Sequence, residues 1–130
     1  KEGVKLAREY KIDEVIVDII EQHHGNSLIH GLYSKTFELE LFDKEILRYP
    51  GPKPQTKEAA IVMICDSCEA ACRSIEEPTP QKIKDTVEQV INAKFVDGQF
   101  DEVELTLRDL YIISNAVTQM LISFYHLRTA

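Results

Sequence analysis

The sequence predicts an all-α domain. Three observations carry this. Apolar residues recur at helical spacing over most of the chain, the periodic stretches begin or end on capping and breaking residues, and strand-like alternation is confined to Glu38–Phe42.

Each element has its own signal. Residues 1–10 read as a first helix. A second spans 13–24: Asp13 caps it, Val15, Ile16, Ile19 and Ile20 form the expected buried stripe, and Gly25 stops it. A third is expected from Asn26 or Ser27 to about Leu39, with Leu28, Ile29, Leu32, Tyr33 and Phe37 inside. Residues 38–47 read equally as a short strand followed by a helical turn. Tyr49-Pro50-Gly51-Pro52-Lys53-Pro54 cannot be helix and reads as a fixed irregular loop.

Thr56 opens an Ala-rich helix expected to reach about Glu77, where Pro78 ends it. Thr79-Pro80 starts the next, since proline suits the first helical position. Its expected buried residues are Ile83, Val87, Val90, Ile91 and Phe95, and Asp97-Gly98 stops it after Val96. Thr106 and Asp109 make a capping-box-like start to the last helix. There Leu110, Ile113, Val117, Met120, Phe124 and Leu127 are spaced 3, 4, 3, 4, 3. This seam over 110–127 packs either inside the domain, the favoured reading, or as a homodimer.

The chain has 130 residues, enough for one domain with a real core. Lys plus Arg is 15 and Asp plus Glu is 22, a net charge of −7. Such a chain is a poor partner for DNA or RNA polymers, whose affinity comes largely from neutralised phosphates. A small anionic ligand held by a local basic cluster or a metal stays compatible. Cys65, Cys68 and Cys72 are odd in number and crowded, which argues against a disulfide framework and for a reducing compartment. No apolar run approaches the roughly 18 residues of a membrane span, so no direct membrane insertion is expected. The chain begins at Lys1 with no initiator Met, and reads as a piece of a longer protein.

Candidate chemistry starts at His23-His24. Adjacent helical residues point roughly 100° apart. The pair suits two neighbouring metals, or one metal and one phosphate; an ordinary polar helix end is the competing reading. Asp66 is expected mid-helix beside the run Ala59-Ala60-Ile61-Val62-Met63-Ile64. A carboxylate in apolar surroundings needs a cation. Glu69 and Arg73 are accounted for by an i, i+4 ion pair. The three cysteines are read as small apolar residues at helix contacts rather than as a cluster site. Arg48, Lys53 and Lys57 lie in a stretch without acidic residues, and Arg73 follows. They form either a phosphate-binding patch or scattered solvated charges. His30 and His126 are isolated.

These residues also carry a resemblance. The segment Glu21-Gln22-His23-His24-Gly25-Asn26-Ser27-Leu28-Ile29 resembles the histidine-pair segment of the bacterial seven-transmembrane HD-domain phosphohydrolases. Residues 49–60 resemble that family's loop and helix start, and 66–74 its terminal metal-aspartate helix, in the same order. The resemblance implies an HD-domain-like helical bundle, incomplete at its N-terminus, whose 1–130 form the C-terminal half. It implies a centre of two divalent metals, Mn or Fe, and hydrolysis of cyclic di-AMP by a metal-activated hydroxide on the cytoplasmic face of the bacterial inner membrane. His23, His24 and Asp66 match its metal ligands; Lys53, Lys57 and Arg73 are expected phosphate partners.

The family's namesake His-Asp dipeptide is absent from this chain, so the remaining ligands are expected upstream of Lys1. The chain alone is therefore expected to bind metal weakly, or to be left empty, and not to turn over substrate. Cyclic di-GMP or another phosphodiester is an alternative substrate. The competing class is a non-catalytic helical signalling or dimerisation module binding a nucleotide or a partner helix.

Overall fold

The computed structural model describes residues 2–28 and 48–127. Every regular element among them is a helix: α1 Glu2–Glu9, α2 Glu14–Gln22, α3 Lys57–Cys72, α4 Pro80–Val96 and α5 Leu107–Phe124. The expected helix over 29–39, the ambiguous 38–47 and His30 lie outside the described residues. The described start of that third helix is different. Ser27 spends its carbonyl on Tyr49 N–H, 2.9 Å away, and Leu28 forms an isolated antiparallel bridge with Arg48.

The predicted caps form. Asp13 Oδ1 accepts from Val15 N–H at 3.0 Å. Thr56 Oγ1 accepts from Ala59 N–H at 3.2 Å and Thr79 Oγ1 from Lys82 N–H at 3.1 Å. Thr106 and Asp109 exchange reciprocal bonds of 3.0 Å, a full capping box. Gly98, at φ +80°, closes α4 as expected.

α3 ends five residues before the expected Glu77. Ser74 and Ile75 N–H bond to Ala71 O and Cys72 O, a tightened last turn that lets Ile75 fold onto the core. Pro78 then bars any restart just ahead of it.

α3, α4 and α5 pack on one another around Met63, Ile64, Cys68, Ile83, Val87, Leu110 and Val117, all buried. Each such aliphatic side chain contributes roughly 1.5–3 kcal/mol by leaving water. Cys68 and Cys72 belong to this core, as their small apolar size suggests, and burial pushes the Cys68 thiol up to about 12. α1 pairs with α2, and α2 leans on α3.

Three stripes differ from expectation. On α2 the core-facing residue is Val17, while Val15 and Ile16 are 60% and 49% exposed. On α4, Phe95 is 53% exposed, because the last turn directs Lys94 inward instead. On α5 the upper seam is right, Leu110 and Val117 being buried. Below it Leu121 and Ile122 take the core, and Met120 and Phe124 face out. No helix among the described residues is long and apolar enough to cross a membrane.

Candidate metal centre

α2 ends at Gln22, so the histidine pair sits in the turn beyond it rather than on its face. His23 N–H still bonds to Ile19 O at 2.9 Å, and Gly25, at φ +54°, turns the chain away. The positive φ favours glycine there, and an added Cβ would also press on the side-chain ends Gln99 Oε1 and Met63 Cε. His23 keeps helical dihedrals, yet the two rings lie close. The two imidazole centroids are 4.0 Å apart, tilted by 40°.

The turn also prepares each ring. His23 Nδ1 lies 3.0 Å from Ile19 O and 3.1 Å from Ile20 O. Carbonyls only accept, so Nδ1 carries the proton and Nε2 keeps its lone pair for a metal. His24 stacks on Tyr49, with centroids 4.4 Å apart and planes within 10°. Burial holds the His24 pKa below its ordinary 6.5; His23 and Lys94 act in the same direction and Asp66 opposes them. Neutral imidazole is the ligating form.

Asp66 lies on α3 and is exposed. The expectation of a carboxylate in apolar surroundings is corrected: Met63 and Ile64 turn into the core while Asp66 turns out. What singles it out is its company. One ligand atom each from His23, His24 and Asp66 all lie within 4.8 Å of one another. Ligands on a single ion at about 2.1 Å stand at most about 4.2 Å apart, so a small closure seats one ion. Two imidazoles and a carboxylate suit a divalent metal such as Mn or Fe.

The expected phosphate partners stand differently. Lys53 Nζ is 3.8 Å from Asp101, Lys57 Nζ 3.7 Å from Asp109, and Arg73 Nε 3.1 Å from Glu69 in the predicted i, i+4 pair. Arg48 forks onto both Asp97 oxygens at 2.9 and 3.0 Å, and this bond holds the Asp97 carboxyl below its usual range. The basic stretch of the sequence is thus met by acidic residues of distant segments.

Sequence reasoning missed the residues that fasten the turn. Gln99 is fully buried; its Oε1 accepts from Asn26 N–H at 3.2 Å, and its Nε2 donates to Asn26 Oδ1 at 2.7 Å and Asp97 Oδ2 at 2.8 Å. Buried Gln22 accepts from Gln55 N–H at 2.9 Å. Lys94 Nζ donates to Ser27 Oγ at 3.0 Å, and burial lowers its pKa. Neutral glutamines and a lysine in a periodic helix leave no local signal, and Tyr49 entered the sequence reading only as the first residue of the Pro-rich loop. A cleft of about 820 Å³ opens beside the pair, lined by Val4, Lys5, Arg8, Ile20, His24 and Tyr49. That is ample for a small-molecule ligand.

One pH dependence follows. The folded-state pKa of His24 lies below the unfolded one, so the unfolded chain takes up the proton first. The stability contributed by neutral His24 is full above about pH 6.5 and is lost as pH falls from there through the folded-state value. An NMR titration of the metal-free protein is expected to give a His24 midpoint below 6.5; one at or above it would exclude the burial effect.

The HD domain family matches residues 1–71. The chain is 44% identical over 128 residues to the cyclic-di-AMP phosphodiesterase PgpH of Bacillus subtilis. It is 43% identical over 129 residues to PgpH of Listeria monocytogenes. Each match covers 98% of this chain and 18% of the relative. The crystal structure of the L. monocytogenes PgpH HD domain in complex with cyclic-di-AMP superposes with a TM-score of 0.90 at 40% identity. That match covers 98% of this chain and 61% of the solved chain.

Proposed function

The chain belongs to the HD domain family, and on that premise we propose that it forms part of a metal-dependent phosphodiesterase that hydrolyses a cyclic dinucleotide, cyclic di-AMP first. The observation that carries this reading is the gathering of His23, His24 and Asp66 donor atoms within 4.8 Å. Similarity to the PgpH domain solved with cyclic-di-AMP supports the substrate. His23, His24 and Asp66 would hold divalent metal, two Mn or Fe ions in the complete domain, with further ligands upstream of Lys1. The metal, when bound, supplies Lewis acidity and a nucleophilic water near neutral pH.

The chain's own residues do the rest. The carbonyls of Ile19 and Ile20 keep the His23 proton on Nδ1. Tyr49 holds the His24 ring by stacking. The adjoining cleft takes the body of the dinucleotide, with Val4, Ile20 and Tyr49 as the apolar wall and Lys5 as a cation; Arg8 is paired with Glu14 at 3.2 Å, and Glu9 and Glu21 also line the cleft. Lys53, Lys57 and Arg73 are outer cations that would have to leave their carboxylates to reach a phosphate. The parent protein would act at the cytoplasmic face of the bacterial inner membrane. Exposed Met120 and Phe124 offer a surface for self-association through 110–127.

The test is a longer stretch of the parent that includes the residues before Lys1, loaded with Mn and given cyclic di-AMP. Linear dinucleotide is the expected product, while residues 1–130 alone are expected to hold little metal and show no turnover. Stoichiometric metal in the longer protein without hydrolysis of cyclic di-AMP or cyclic di-GMP would favour the non-catalytic binding module.

A further inference from the structure

Lys94 stands apart from the other cations near the centre. Arg48, Lys53, Lys57 and Arg73 each have a carboxylate within 4 Å. Among the described residues, half-buried Lys94 has none that close, and its ammonium donates one hydrogen bond, to Ser27 Oγ at 3.0 Å. An ammonium has three donors, so two are left over. Ser27 closes the same turn that carries His23 and His24, and the ammonium lies within electrostatic reach of Asp97 first, then of Asp66 and His24.

A half-buried cation beside a cluster of metal donors is repulsive toward any divalent ion placed there. The arrangement becomes favourable when an anion sits between the two positive groups, and a phosphoryl oxygen is such an anion. α4 spends its last inward position on this residue while Phe95 is turned out to solvent. The Ser27 hydroxyl holds the flexible lysine stem in one place, which reduces the ordering required when the anion arrives.

We propose that Lys94, steadied by Ser27, is the residue that binds and orients the substrate phosphate at the His23–His24–Asp66 centre. This rests on the phosphodiesterase reading for its substrate but not for its ligand chemistry, so the probe is inorganic phosphate. The longer parent protein, loaded with Mn, is compared with its Lys94→Met and Lys94→Arg variants for Mn content, melting temperature, phosphate affinity by calorimetry, and KM and kcat on cyclic di-AMP.

Lys94→Met is expected to keep its Mn and to lose about ten- to a hundredfold in phosphate affinity, as for a charge-assisted hydrogen bond. Its KM is expected to rise in parallel, and Lys94→Arg to restore most of both. Wild-type phosphate affinity in Lys94→Met overturns the proposal, and so does loss of Mn from that variant, which would make Lys94 a positioning residue for the ligands. Should Lys94→Met fail to fold, the wild-type protein still decides. Phosphate is expected to slow acylation of Lys94 severalfold by peptide mass spectrometry, and equal rates with and without phosphate overturn the proposal. If wild type binds phosphate but leaves cyclic di-AMP intact, the phosphodiesterase reading fails while the Lys94 assignment stands.

Discussion

Asp66→Ala, introduced into the longer parent protein, is expected to lower Mn affinity by more than about a hundredfold and to abolish hydrolysis. The loss of an outer-shell partner alone typically costs ten- to a hundredfold in affinity, and a direct ligand exceeds that. The substitution is a clean one because Asp66 is exposed and supplies no cap to α3. Exposed sites away from special features change stability by no more than about 0.5 kcal/mol, so the melting temperature of the metal-free protein is expected to stay put. Atomic emission after gel filtration and a melting curve read the two effects separately. Retained stoichiometric Mn, or a fold lost together with the metal, would remove Asp66 from the ligand set.

Gln99→Ala is expected to act on both stability and site. The side chain is fully buried and bridges Asn26 to Asp97. Truncation strands half-buried Asn26 N–H and Asn26 Oδ1, while exposed Asp97 keeps its two bonds to Arg48, and leaves a cavity under the histidine turn. Each stranded buried group costs about 1–3 kcal/mol, so a total near 3 kcal/mol is expected after relaxation. The turn that carries His23 and His24 is then held mainly by Arg48, by the Tyr49–Ser27 bond and by Lys94 on Ser27 Oγ, and Mn affinity should fall about tenfold or more, as for other outer-shell losses. Gln99→Glu separates the two roles. It keeps the acceptor for Asn26 N–H but sets a second carboxylate against Asp97, so its stability should recover as pH falls. Chemical denaturation of both variants at two pH values checks this; a loss in Gln99→Glu that does not depend on pH would argue against the charge conflict.

The caps show how far local chemistry reaches. Asp13, Thr56, Thr79 and Thr106 each need only their own backbone within three residues, and each was legible. Helix faces were less so. Val17 rather than Ile16 faces the core, and Lys94 rather than Phe95 turns inward, because the choice between neighbouring faces belongs to the helix packed opposite. The end of α3 was misplaced for a similar reason, since Ile75 leaves the helix to reach a core that no local pattern announces.

The site divides along the same line. Sequence by itself determined the all-helical class and the donor types at His23, His24 and Asp66, since residue chemistry and helical period are local properties. Tertiary structure decided that these donors meet within 4.8 Å, that Asp66 faces out rather than in, and that Arg48, Lys53 and Lys57 spend their charge on carboxylates. It alone brought Gln99 and Lys94 beneath the histidine turn, more than sixty residues away along the chain. Contacts at that separation depend on how α3, α4 and α5 pack, and hydrophobic periodicity carries no record of which face meets which.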